Sequence, residues 1–279
     1  MSEMLIEVYR DYQTSFDLIS LWLPKPPLDY FDFPASATAF CHSLKNSKPF
    51  FFGDCLFRKR GKVCKLVSFR GQTPVQDIEK LRTEGFVVKT LPFSFRDGDY
   101  GPLVRAKHEY YANLPYLFEQ RIAHHSHGNR GRLRRDYRQG TERFSIAEDV
   151  QRDEFEKLFQ AWLEVAQDRY FMVRKGHHHT YADMYFAGVG NIRLLGFRRK
   201  DDGRLFGVMG FEVVGDQAQM TLGKHLFGDN AFSTFYYVKT LELISDMGVK
   251  RVLCGSSGDE FKSRIGLEKK SSWKLKLST

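Results

Sequence analysis

The chain has 279 residues and a mass of 32.5 kDa, and it is 42% hydrophobic and 15% aromatic, with 43 Lys and Arg against 34 Asp and Glu. That apolar fraction supplies a core and excludes disorder as the dominant state, and no apolar run reaches the roughly 18–20 residues of a membrane span. The opening MSEMLIEVYRDYQ lacks a basic stretch followed by an apolar one, so no secretory signal is expected, and the setting is expected to be cytoplasmic.

In chain order, PKPPLDYFDFP (24–34) cannot be helical through its prolines. An apolar strand at 49–57, a basic turn near Arg58–Gly61 and a second strand at 63–69 read as a hairpin. Thr73–Pro74 starts a helix that Gly85 stops, and FVVKTLPF reads as a further short strand. Cys41, Cys55, Cys64 and Cys254 form no CxxC pair and match no zinc spacing, so they read as buried or incidental thiols in a reducing compartment. Residues 1–120 are thus expected to be an α/β subdomain.

The excess charge of +9 is uneven. Residues 101–200 hold 18 basic and 12 acidic side chains, and Arg121–Arg143 alone carries seven arginines against Asp136 and Glu142. This run reads as a basic connecting segment over 121–143. It is either a solvated helix face or linker, or an attractor for a polyanion, an acidic membrane surface or a phosphorylated cofactor. Arg132, Arg134 and Arg135 are its candidate contacts.

The remainder, 144–279, is more strongly patterned. FSIAED (144–149) reads as a strand, and 153–169 as a helix whose stripe of Phe155, Leu158, Phe159, Trp162, Val165 and Ala166 is core. A loop carrying His177, His178 and His179 is expected next, then a short helix with Thr180 as its N-cap. Strands follow at 191–199, 204–214 and 218–226, joined by the turns DDG and GDQ. A helix over 232–247, a strand over 249–255, a helical turn and the strand WKLKL complete the chain. No sequence repeat is visible. The clusters HHSH (124–127) and HHH lie in expected loops, where adjacent histidines lack converging partners, so no metal is expected.

This order resembles the GNAT acyltransferase fold, a mixed and mainly antiparallel sheet flanked by helices. RLRRDYRQG before FSIAED and the Trp-containing helix resembles the opening of the acetyltransferase-like domain in the Fem-type and cellulose-biosynthesis-type branch. DGRLFGVMGFEVV resembles that branch's strand pair. GVKRVLCGSSGDEFKSRIG resembles its closing motif, with Phe261, Lys262, Ile265 and Gly266 in the turn. The resemblance covers about 128–277. Fem-type enzymes carry two such domains, so the first 120 residues read either as a diverged first copy or as an unrelated subdomain. The resemblance implies an acyl donor, either acetyl-CoA or another acyl-CoA, or aminoacyl-tRNA, and an amine acceptor on a small or polymeric molecule.

The usual pyrophosphate loop, Q/R-x-x-G-x-G/A, is replaced here by LFGDNAFSTF, which keeps Gly228 only. A helix N-terminus still offers N–H groups to phosphate, here from Asn230, Phe232, Ser233 and Thr234. Acyl transfer to an amine needs a base, a polarised carbonyl and a proton for the leaving group. Glu212 among apolar neighbours is a candidate base or a salt-bridged strand residue, and His225 a candidate base or phosphate ligand. Tyr236 and Tyr237 are candidate acids or packing residues, and Asp229 a helix cap. Lys262 either reaches a phosphate or carboxylate or is solvated. Three readings stand: an acyl- or aminoacyltransferase, a nucleic-acid-directed version of it, and a non-catalytic binding module of the same fold.

Overall fold

The structure is a computed structural model that describes residues 6–7, 11–25, 27, 29–70, 74–91, 103–165, 169–225, 229–255 and 259–275. The chain divides into two compact units that are interleaved in sequence. The first comprises Met1–Glu109, Val173–Asn191 and Lys270–Thr279; the second comprises Tyr110–Met172 and Ile192–Lys269. The expected segments 1–120, 121–143 and 144–279 are contiguous, whereas these packing units are not.

The first unit holds β1 (Ile6–Glu7), α1 (Tyr12–Trp22), a 3-10 turn at Tyr30–Asp32, α2 (Pro34–His42), β2 (Lys48–Phe52), β3 (Cys55–Arg60), β4 (Val63–Phe69), α3 (Pro74–Thr83) and β5 (Val87–Lys89). The strands lie in sequential order, antiparallel up to β4, with β5 parallel to β4. The single apolar strand expected at 49–57 is in fact two, because Gly53 turns the chain with φ +54°, a conformation costly for residues that carry a Cβ. One sheet face packs Leu56 and Val67 with Ile19, Ala37 and Cys41; the other packs Phe50, Phe57 and Leu66 with Ile78 and Leu81.

The elements that follow are β6 (Leu103–Asn113), α4 (Phe118–Ile122), α5 (His127–Arg143), β7 (Phe144–Ala147), α6 (Arg152–Val165), α7 (Arg169–Phe186), β8 (Ile192–Arg199), β9 (Leu205–Val214), β10 (Gln217–His225), α8 (Asn230–Ser245), β11 (Arg251–Gly255), α9 (Asp259–Arg264) and β12 (Glu268–Leu275). Their sheet has the order β12-β6-β11-β10-β9-β8-β7. The unit boundary falls within β6, α7 and β12. In that sheet β6 and β11, β10 and β9, β9 and β8, and β8 and β7 pair antiparallel, whereas β10 and β11 run parallel across the α8 connection.

The same element series occurs twice. β1-α1-α2-β2-β3-β4-α3-β5 corresponds strand for strand and helix for helix to β7-α6-α7-β8-β9-β10-α8-β11, each ending in one parallel pair. The repeat is in topology, where the amino-acid sequence shows none.

Two expectations change. His177–His179 are not in a loop but inside α7, where His177 and His178 are buried and the His177 ring lies among Phe31, Phe40 and the Ser36 carbonyl. Thr180 is therefore interior to a helix rather than its N-cap. The basic run takes the helical one of the alternatives open to it, as α5, in which Leu133, Asp136 and Gly140 turn one narrow face onto α8. At Gly140 the contact is close: a Cβ would stand 2.3 Å from the Phe235 Cβ and 2.7 Å from the Ala231 carbonyl oxygen.

Gly140→Ala tests this crossing. Better helix propensity would add about 1 kcal/mol, but the crowding against α8 outweighs it, and a net loss of about 1–3 kcal/mol is expected in chemical denaturation.

Candidate functional site

The parallel pair β10–β11 is short. Its rungs are Gln217–Arg251, Ala218–Val252 and Gln219–Leu253, after which β10 runs on to His225 and β11 to Gly255 without pairing to each other. Both strands shift register on their outer sides at the same level, β10 against β9 between Met220 and Leu222, and β11 against β6 between Leu253 and Gly255. These bulges absorb the divergence, so the outer ladders stay paired while the middle of the sheet opens.

At the last rung, Glu212 of β9 stands directly opposite Gln219 of β10, so both side chains share one face of the sheet. That face meets α6, whereas the other face packs Phe211, Ala218 and Met220 with Phe232 and Tyr236 of α8. Glu212 is 1% exposed and Gln219 fully buried. Among the described residues neither Nε2 nor Oε1 of Gln219 has a hydrogen-bond partner. A buried amide left so is costly, and in native structures it points to function or to a bound group.

Lys262 lies on the short helix α9 after β11. It is 1% exposed, and its ammonium donates to the Cys254 carbonyl and, at 3.1 Å, to the Gly255 carbonyl. These carbonyls end β11, beyond its last rung with β10. The lysine expected to reach a substrate phosphate is thus turned inward, holding the strand end that forms one side of the opening.

The first turn of α8 is likewise engaged by the chain itself. Asp229 caps the helix, its carboxylate accepting from the Phe232 N–H at 2.9 Å and pairing with Arg143 at 2.8 Å, as the cap reading expected. The Ser233 and Thr234 hydroxyls each donate back to the carbonyl four residues earlier, at 3.1 Å. Phe232 is buried among Phe144, Phe197 and Phe206, and Asn230 is exposed. Tyr236 is buried too, its hydroxyl donating to the Val208 carbonyl at 2.6 Å. Burial pushes the Tyr237 phenol well above its usual range. His225 ends β10 opposite Gly207, and its side chain lies outside the described residues, as does Gly228.

On α5, Arg134 is tied to Glu119 by hydrogen bonds of 2.5–3.1 Å. Arg132 and Arg135 are exposed and, among the described residues, unpaired with carboxylates. Arg138, which the sequence reading did not single out, extends them into a row at three-residue spacing along one helix face. No helix among the described residues is long and apolar enough to cross a membrane.

No protein-family model matches the sequence, and a search of curated proteins found no match. Solved structures do match in fold. A conserved protein of unknown function from Bacteroides thetaiotaomicron shares 12% identity and a TM-score of 0.64 over 98% of this chain and all of that one. L-PGS from Bacillus licheniformis shares 10% and 0.61 over 92% and 90%. FemX shares 9% and 0.58 over 96% of each chain. The chain has a GNAT-like fold, shared with these structures over more than nine-tenths of its length.

Lys262→Met removes the donor from two carbonyls at the end of β11 while keeping much of the side-chain volume. Denaturant titration should show a loss of about 2–4 kcal/mol.

Proposed function

We propose that the chain is an N-acyltransferase that moves an aminoacyl group from a tRNA-borne ester to an amine, with transfer taking place where β10 and β11 part. The observation that carries this is the opening itself, with Glu212 and an unpartnered Gln219 buried at its head. In that reading the backbone N–H groups of β10 beyond Gln219 polarise the ester carbonyl, since no β11 ladder occupies that edge. Gln219 orients the amine or the aminoacyl group through its amide. Glu212 takes a proton as the amine nitrogen attacks the carbonyl carbon; the ester C–O bond then breaks, and the proton passes to the departing ribose oxygen. Lys262 acts indirectly, by fixing the end of β11.

The choice of an aminoacyl ester over acyl-CoA rests on α8. A pyrophosphate needs free N–H groups at a helix N-terminus, and here a carboxylate already stands in that place. The row Arg132, Arg135 and Arg138 suits the backbone of a nucleic acid instead.

Three measurements bear on this reading. Aminoacyl-tRNA should support transfer to an amine acceptor and acetyl-CoA should not; acetylation without aminoacyl transfer would overturn the donor assignment, and turnover with neither would return the binding-module reading. In thermal shift, acyl-CoA should give none of the roughly 2.7 kcal/mol that a ligand at 100 times its dissociation constant provides. Replacing Arg132, Arg135 and Arg138 by Ala should flatten the plot of log affinity for tRNA against log salt by about 2, at ~0.7 per phosphate contact.

Gln219→Leu separates function from stability. It removes an unsatisfied buried amide at nearly constant volume, so stability should rise by about 1–2 kcal/mol while transfer falls. A variant that is less stable and equally active would sink the assignment of Gln219.

A further inference from the structure

The parallel pair of the first unit is equally short. Among the described residues β4 pairs with β5 over Val63–Val87, Cys64–Val88 and Lys65–Lys89, and beyond Lys65 it runs on to Phe69 paired with β3. Both parallel pairs therefore close for the first three residues of the longer strand and no further. Lys65 holds the place in β4 that Gln219 holds in β10. Arg58, opposite Lys65 on β3, holds the place of Glu212 on β9, and Lys89 that of Leu253.

The chemistry at the two last rungs differs. In the second unit the row reads Glu, Gln, Leu; in the first it reads Arg, Lys, Lys. Three cations sit side by side across adjacent strands, an arrangement that opposes folding. Arg58 and Lys65 are half-buried, and both lie over the Phe40 ring, at 4.2 and 5.5 Å. Arg58 also donates to the Ser43 hydroxyl at 2.9 Å. β12 ends close by, where the Thr90 hydroxyl donates to the Leu275 carbonyl at 3.2 Å. Lys274, the preceding residue, adds a fourth positive charge near Lys65. Among the described residues no carboxylate pairs with any of the four. Burial and the charges of Arg58, Lys274 and Lys89 hold the Lys65 ammonium down to about 8. A solvated surface would relax such crowding by spreading its side chains; here strand register and the Phe40 ring hold Arg58 and Lys65 together.

We propose that the cation row across β3, β4 and β5 at this last rung is a binding site for a phosphate or diphosphate group, held by Arg58, Lys65 and Lys89 with Lys274 at its rim. A multivalent anion cancels the mutual repulsion and meets charged donors from three adjacent strands, which a single carboxylate would do only in part. The site does not depend on the reaction proposed for the second unit.

Isothermal titration of the full chain with inorganic pyrophosphate at low salt tests this, alongside vesicles of phosphatidylglycerol and of phosphatidylcholine. Saturable binding to pyrophosphate marks a soluble phosphate group as the ligand. Binding to phosphatidylglycerol vesicles alone, with none to phosphatidylcholine, marks a lipid headgroup, and either result supports the site. Lys65→Gln and Lys89→Gln should each weaken binding by about tenfold or more, and Lys65→Arg should retain most of it. Without ligand, Lys65→Gln should melt at a higher temperature than the parent chain, because repulsion is relieved, so lost binding is not lost folding. Pyrophosphate and anionic vesicles both failing to bind would overturn the proposal. So would binding unchanged by Lys65→Gln.

Discussion

A parallel strand pair that holds for three rungs and then separates is the constraint on which the second unit is built. Ending a ladder inside a sheet strands backbone donors and acceptors, and such groups demand partners. Two of the acceptors, the carbonyls of Cys254 and Gly255, receive the buried ammonium of Lys262. Register shifts at Met220/Leu222 and Leu253/Gly255 let β9 and β6 stay attached to strands that diverge from each other. At the head of the gap the buried amide of Gln219 is left, among the described residues, without a partner on either of its polar atoms. A rigid scaffold keeps polar groups ready for a ligand in this way.

Charge follows the same division of labour. The arginine-rich segment is a helix whose buried face is reduced to Leu133, Asp136 and a glycine pressed against α8. Its last residue, Arg143, closes over the carboxylate that caps α8, and Tyr137 donates to Glu242 farther along that helix. Part of the positive excess is therefore structural, neutralised by Asp229 and Glu119. The part left over lies along one exposed row of α5, while the first unit carries a separate cluster across its own strands. The net +9 is the sum of local devices rather than a uniform coat.

The strands and turns of the second unit were legible in the amino-acid sequence because each rests on local chemistry: DDG and GDQ at the hairpins, alternation in β9, and Asp229 ahead of α8. α5 was legible only as one of two alternatives, a helix face or a linker, since three buried positions in seventeen make too thin a stripe to stand out from its charges. His177 and His178 misled for a related reason: three polar residues in a row look like a loop, and only the Phe31 and Phe40 rings show them to be interior. Glu212 was readable as a residue in an apolar strand. Gln219 was not, because its importance lies in partners it lacks, a property of packing alone. The topological repeat shows in no sequence repeat and was anticipated only as the diverged first copy that the family resemblance left open. Strand order and register recur between the units, but the last rungs differ in charge, Arg58, Lys65 and Lys89 standing where Glu212, Gln219 and Leu253 stand.

The interleaving of the two units also bears on how the chain assembles. Leu275 belongs to the apolar cluster of the first unit with Phe57 and Leu66, more than two hundred residues earlier. During synthesis the first sheet therefore leaves the ribosome long before one of its core side chains exists. Contacts of such sequence separation are slow to form, and chains that wait for them expose apolar surface meanwhile. The first unit completes itself only after almost all of the second has been made, so the two are committed to maturing together even though each has a core of its own.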